Sequence, residues 1–253
     1  MNKKTGFSKQ NNDFYVFLHK VKSFLIRKIF LMLPQAFKML IAKKINYFKS
    51  NNIDEVINFT FNTLGETIRP EQIKEEFREL LKLITNNELN TILEIGTANG
   101  GSLFSFCKLA SVDATIISID LPQGMFGGGY PDWKIPIYNL FKSENQDLFL
   151  LREDSHSIQT YDKILKILNG KKLSFLFLDG DHTYDGTKND FNMYSNLVKK
   201  GGIIAFHDIA PNGIEERVGG VPIFWNEIKL LYNYKEFIND HKQTGYGIGC
   251  LFV

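Results

Sequence analysis

Residues Ile92–Gly101, ILEIGTANGG, set a run of apolar residues directly against a glycine-rich turn and a second apolar stretch. A buried parallel strand that passes at once into a helix needs a residue at ease with unusual backbone angles, which Gly96 supplies, while Gly100 and Gly101 let the backbone approach a ligand. This segment commits the chain to an α/β architecture in which a strand end and a helix N-terminus face a ligand. Glu94 stands two places before the first glycine. Helix N-termini favour anions, so a pyrophosphate cofactor is better served without that carboxylate, whereas a cationic sulfonium such as S-adenosylmethionine suits it.

The rest of the chain extends the alternation. A helix is predicted from Pro70, with Ile73, Phe77, Leu80, Leu81 and Ile84 on its buried side. Strands are predicted over Thr91–Ile95, Thr115–Ile119, Leu148–Leu151, Leu173–Leu178 and Ile203–Phe206, and helices over Ser102–Ala110, Tyr161–Leu168, Thr187–Leu197 and Phe224–Leu231. Strands that are apolar throughout imply helices on both faces. Two closing strands, near Glu236–Ile238 and Tyr246–Val253, read as a hairpin. The one long irregular stretch runs from Leu121 to Pro136 and holds Gly127–Gly129, Tyr130 and Trp133. It is either a lid whose rings stack on a sugar or an ordered loop that packs them inward.

Charge divides the chain. Residues 1–50 carry eleven Lys or Arg against one acid, Asp13, while the other 203 residues carry nineteen bases and twenty-seven acids. A basic extension over 1–50 therefore precedes a mildly acidic domain over 51–253, with its core at 68–253. Phe14, Leu18, Val21, Leu25, Ile29 and Met32 recur at helical spacing opposite His19, Lys20, Ser23 and Arg27. This amphipathic helix is too interrupted by charge to span a bilayer or to serve as a cleaved signal. It either rests on an anionic membrane surface, through residues 14–33, or packs on protein, the domain or a second copy. No nucleic-acid reading module accompanies the basic run, so no nucleic-acid partner is expected. Cys107 and Cys250 form neither a CxxC pair nor a zinc spacing. Both are expected to be reduced core residues of a cytoplasmic protein, peripheral to the inner membrane face if the helix binds lipid.

Polar residues gather where the predicted strands end. Glu94 and Gly96 follow the first strand, Asp120 the second, Asp154 and Ser155 the third, Asp179, Asp181 and His182 the fourth, and His207 and Asp208 the fifth. Ligands of open parallel sheets collect on that rim. Asp120 lies where a carboxylate would accept from two ribose hydroxyls, a feature shared with dinucleotide enzymes. Those enzymes also want G-x-G-x-x-G, and here Ala98 replaces the second glycine.

The segments LEIGTANGGS, SIDLP with FGGGYPDW, REDSHS, LFLDGDHTYDG, GGIIAFHD and GVPIFW, in that order, resemble class I S-adenosylmethionine-dependent methyltransferases. Within them they resemble the branch of metal-dependent macrolide sugar O-methyltransferases and cephalosporin-hydroxylase-like proteins. The resemblance covers Ile68 to Val253 and implies a Rossmann-like seven-stranded sheet with an antiparallel last strand. It implies that Glu94, Gly96 and Gly100 line the methionine end of the cofactor, that Asp120 holds its ribose, and that Asp154 and Ser155 flank its adenine. Asp179 would be a metal ligand and His182 the general base. His207 and Asp208 match a metal-binding pair that is usually Glu-Asp, so His207 is a departure; imidazole suits manganese better than magnesium.

The chemistry is coherent. A divalent cation, magnesium or manganese, held by Asp179 and Asp208, with His207 either a further ligand or turned away, would lower the pKa of a sugar hydroxyl, and His182, a histidine with an unperturbed pKa of about 6.5, is fit to take the proton. An S-adenosylmethionine-dependent O-methyltransferase acting on a sugar or glycoconjugate is expected. The alternative is an inactive cofactor-binding or membrane-associated assembly protein that keeps the fold.

Overall fold

The computed structural model describes residues 35–64, 67–124, 128–211, 219–240 and 242–253. The chain separates into two units, Met1–Lys44 and Ile45–Val253. The amphipathic helix predicted over residues 14–32 lies outside the described residues; helix α1, Gln35–Tyr47, follows it in sequence.

The larger unit is built on seven strands: β1 Thr91–Ile95, β2 Thr115–Ile119, β3 Asp147–Leu151, β4 Leu173–Leu178, β5 Val198–His207, β6 Asn233–Phe237 and β7 Ile248–Phe252. Their order is β3-β2-β1-β4-β5-β7-β6. Strands β1 to β5 pair in parallel, and β7 runs antiparallel between β5 and β6. The antiparallel last strand and the hairpin are as the sequence predicts.

Side chains alternate across each strand, so the register assigns the two faces. Leu93 lies level with Ile117 and Leu176, and these belong to an aliphatic core that also takes in Ile164 and Leu168 of helix α6 (Ile158–Leu168). Phe191 and Tyr194 of α7 (Tyr184–Tyr194) and Phe224 and Trp225 of α8 (Val221–Ile228) complete it. On the opposite face, Phe106 of α4 (Gly101–Leu109) meets Phe175, Phe177 and Phe77, the last from α3 (Lys74–Thr85), with ring centroids 5.3, 5.6 and 6.2 Å away. Glu94 and Ser118, level with each other, are the polar interruptions on that second face.

Several boundaries differ from the sequence pattern for local reasons. The helix predicted from Pro70 starts at Lys74, because residues 68–70 run across the glycine turn: a Cβ on Gly101 would stand 2.1 Å from the Ile68 carbonyl oxygen and 2.5 Å from the Pro70 nitrogen. Strand β5 begins at Val198, before the two glycines that read as a turn, and a register shift against β4 between Leu173 and Phe175 absorbs them. A short helix α2, Ile53–Asn58, capped by the Asn52 side chain, runs on into a π-helical turn over Phe59–Thr63. The stretch expected to be irregular is ordered in its second half, as a 3₁₀ turn at Asp132–Lys134 and helix α5, Ile135–Tyr138. Cys107 and Cys250 are free and buried.

Gly249 of β7 gives a direct test of this packing. A Cβ there would lie 2.5 Å from the Trp225 ring, and the ring is held in place by its Nε1–H donating to Glu236 Oε1 at 2.6 Å and by Phe206 at 5.5 Å between centroids. Gly249→Ala should therefore lower stability by about 1–3 kcal/mol in urea unfolding, the usual result of overfilling a core. An unchanged midpoint would mean that the ring has room to move.

Candidate active site

The second face of the sheet carries the polar side chains. Glu94 is completely buried; Ser118 Oγ donates to its Oε2 at 2.8 Å, and Oε1 has no hydrogen-bond partner among the described residues. Burial, only partly offset by hydrogen bonds from Ser102 and Ser118, pushes its pKa from 4.5 up to about 8. The carboxyl read from sequence as a waiting anion is thus a neutral acid until a cation reaches it.

Asp120 closes the next strand. Its Oδ2 accepts from Ala98 N–H at 2.8 Å and its Oδ1 from Gly129 N–H at 2.7 Å. Burial raises its pKa against those two bonds. Each oxygen keeps a lone pair for a further donor such as a ribose hydroxyl.

Glycines 96, 100 and 101 all sit in the turn, but protein fills the space beside them. A Cβ on Gly96, at φ 96°, would be 1.9 Å from the Asp179 carbonyl oxygen, and one on Gly100 would enter the Tyr138 ring. Tyr138 donates its hydroxyl to Ala98 O at 3.0 Å, and the buried Lys134 reaches Asn99 Oδ1 at 3.2 Å. The sequence reading gave that space to a ligand; in the fold Gly100 offers a ligand its backbone alone.

Beyond β4 and β5 the residues predicted to act together do meet. Asp179 Oδ1 lies 3.0 Å from His207 Nδ1 and 3.6 Å from His182 Nε2, while Asp208 Oδ2 lies 3.5 Å from His182 Nδ1 and 3.4 Å from His207 Nδ1. Burial opposes charge on Asp179, yet the adjacent imidazoles hold its pKa down to about 2. Burial likewise opposes charge on His207, and Asp179 and Asp208 more than reverse it, raising its pKa. Asp208 adopts a left-handed φ of 62°, and its Oδ1 accepts from Tyr246 N–H at 3.1 Å. Donor atoms of Asp179, His182 and Asp208 lie within 4.8 Å of one another. This convergent set differs by one imidazole from the predicted Asp179, His207 and Asp208: His182 is 18% exposed, while His207 is 4% exposed with its Nδ1 hydrogen-bonded to Asp179.

The third strand end is organised differently. Asp154 is exposed and its Oδ1 accepts from His156 N–H, an Asx turn, while the Ser155 carbonyl accepts from Tyr194 Oη at 2.5 Å. His156 Nε2 lies 3.3 Å from the buried Asp190, and hydrogen bonding to that carboxylate raises its pKa to about 9. Tyr130 is 2% exposed beneath the Arg152 guanidinium, which also binds the Tyr130 carbonyl and the Asp132 carboxylate. Its ring therefore packs inward and offers no sugar a stacking face. Lys134, Tyr138, Arg152 and Asp190 were missed in the sequence, for an ordinary lysine, tyrosine, arginine or aspartate carries no spacing signal.

Residues 93–209 match a family model described as a methyltransferase domain. The fold superposes on the O-methyltransferase of Bacillus cereus solved with S-adenosylhomocysteine, at 16% identity over 82% of this chain and 93% of that one, with a TM-score of 0.50. Residues 93–209 are thus a methyltransferase domain by this match, set on the class I methyltransferase fold. The same methyltransferase fold is found in TomG of Streptomyces achromogenes, an O-methyltransferase of tomaymycin synthesis (14% identity, 79% of this chain and 88% of that one, TM-score 0.50). It also occurs in CalS11, a TDP-rhamnose 3′-O-methyltransferase of calicheamicin biosynthesis (14%, 79% and 92%, TM-score 0.52). By sequence the chain is 28% identical to the uncharacterised protein R132 of Acanthamoeba polyphaga mimivirus, over 68% of each. It is 26% identical to the uncharacterised protein y4gI of Sinorhizobium fredii, over 64% of this chain and 17% of that longer one.

The residues at Glu94, where a buried oxygen has no hydrogen-bond partner among the described residues, fit the cationic S-adenosylmethionine. The Asp179, His182 and Asp208 donors, two hard oxygens and a borderline nitrogen, fit a divalent cation. The neutral state of Glu94 has a measurable signature. With its pKa raised from 4.5 to about 8, the folded domain holds a proton that the unfolded chain releases. The stabilisation is complete below pH 4.5 and is lost as pH rises to about 8, at up to about 1.4 kcal/mol per pH unit. Urea unfolding of Glu94→Gln should show a shallower decline over that window; parallel curves for the two proteins would mean that Glu94 is ionised throughout.

Proposed function

We propose that the protein transfers the methyl group of S-adenosylmethionine to a hydroxyl oxygen of a small hydroxylated acceptor, a sugar or glycoconjugate. The observation that carries this is the meeting of Asp179 and His182, after β4, with His207 and Asp208, at the end of β5. A partly exposed imidazole in contact with two carboxylates is placed to accept a proton, and a hydroxyl, a weak nucleophile at neutral pH, needs that help.

When bound, S-adenosylmethionine supplies an electrophilic methyl on a positive sulfur, and a magnesium or manganese ion supplies a Lewis acid that lowers the pKa of the acceptor hydroxyl. Asp179 and Asp208 would hold the ion. His182 is the reachable imidazole and would take the hydroxyl proton. Its two nitrogens face Asp179 and Asp208 at 3.6 and 3.5 Å, so the imidazolium that results is stabilised at once by the carboxylate beside it. His207 Nδ1 keeps Asp179 Oδ1 in place.

Two features support a polyhydroxylated acceptor. CalS11, which shares the fold, acts on a nucleotide-linked sugar by its name. A groove of about 450 Å³ beside the β4–α7 connection is lined by His156, Asp181, Thr183, Asp185, Asn189 and Asn192, groups that exchange hydrogen bonds with hydroxyls. Among the described residues no helix is long and apolar enough to cross a membrane; the basic residues 14–33 would let the enzyme meet a lipid-linked acceptor at an anionic surface.

Labelled-methyl transfer to a panel of nucleotide sugars and glycosides tests the assignment. Asp179→Asn and His182→Ala should each lower kcat by about 100- to 10,000-fold, the range for losing a general base or its partner, with S-adenosylmethionine affinity changed little in calorimetry for His182→Ala. His182→Ala should also bind manganese nearly as well as the wild type. Rates within tenfold of wild type in both variants would refute the assignment, and lost manganese binding in His182→Ala would make that imidazole a ligand instead of the base.

A further inference from the structure

The approach to α3 brings in a side chain that no spacing in the sequence singled out. Gln72 is buried, and its Nε2 donates to Asp179 Oδ2 at 2.6 Å across 107 residues of sequence. A carboxylate accepts and does not donate, so the amide must turn its NH2 toward Asp179 and carry Oε1 as an acceptor on its other side. That oxygen is buried and has no hydrogen-bond partner among the described residues. Glu94 Oε1 is in the same state, on the sheet face that Asp179 joins, and the charge of Asp179 acts on it. The position of Gln72 follows from the turn: the absent side chain of Gly101 lets residues 68–70 lie against it, and Gln72 comes two residues later.

Two buried side-chain oxygens without hydrogen-bond partners among the described residues, beside the Asp179 carboxylate, favour a cationic donor, to which Glu94 can yield its proton. A hydroxyl brings a single donor together with lone pairs of its own. A metal ion here is the business of Asp179 and Asp208, whose donor atoms converge with that of His182. A primary ammonium carries three donors, no acceptor and a positive charge. We propose that Gln72 Oε1, together with Glu94 Oε1, receives the α-ammonium group of the cofactor's amino-acid moiety, while Gln72 Nε2 orients Asp179. Gln72 is thus a cofactor-binding and positioning residue. This rests on the S-adenosylmethionine-dependent reading above and extends it to a residue from outside the strand ends.

The test is calorimetry on the full chain with S-adenosylhomocysteine and with its analogue lacking the α-amino group. The wild type should prefer the amino form by at least about 30-fold. Gln72→Met, which keeps the length and loses the acceptor, and Gln72→Asn, which withdraws the oxygen by one methylene, should each cut that preference by about tenfold. Both should leave affinity for the deaminated analogue within about threefold of wild type. Thermal unfolding identifies which variants are folded, and either one alone decides. A preference unchanged within twofold, or equal weakening of both ligands, overturns the proposal and leaves Gln72 as a support for Asp179. A wild type that binds the two forms equally also overturns it. A wild type that binds neither overturns the methyltransferase function together with this inference.

Discussion

A parallel sheet covered on both faces leaves polar side chains almost nowhere to stand except at the ends of its strands, and the site follows from that constraint. Within the strands, Glu94 and Ser118 are buried exceptions, and they lie level with each other so that Ser118 donates to one of the two carboxyl oxygens. At the ends, the alternation that puts Glu94 and Phe177 on one face carries Asp179 and His207 to the same side, where they come within 3.0 Å. The chemistry is placed by the pleat before any individual contact is made.

That placement explains how much was legible in the sequence. The glycine turn, the five parallel strands, the closing hairpin and the meeting of Asp179, His182, His207 and Asp208 all follow from periodicity and strand ends. What escaped depends on contacts between distant segments. Gln72 reaches Asp179 only because residues 68–70 cross Gly101, and nothing in a local window announces such a crossing. The protonation of Glu94 was hidden for a similar reason, since the sequence gives the carboxylate and its neighbours but not the depth at which all of them are buried. Tyr130 left two readings open, a stacking face or inward packing, and the Arg152 guanidinium, twenty-two residues on, decides for the second by covering the ring.

A second organising group lies outside the strand ends. Glu76, buried in the first turn of α3, accepts from Asn239 N–H, Gln243 Nε2 and Gly247 N–H. One carboxylate thereby fixes the β6–β7 connection, and that connection in turn gives the Tyr246 amide to Asp208. Gln72, just before α3, and Glu76, in its first turn, hold Asp179 and the wall behind Asp208 respectively. The segment leading into α3 is thus as much a part of the site's framework as the glycine turn, although its sequence reads as an ordinary amphipathic helix.

The left-handed backbone at Asp208 narrows what that position tolerates. Aspartate and asparagine enter this region of φ and ψ with little penalty because their short side chains bond locally, whereas alanine and β-branched residues are strained there. A library scanning position 208 would therefore report two superimposed penalties, one conformational and one ionic. Asparagine is the substituent that removes the second without adding the first.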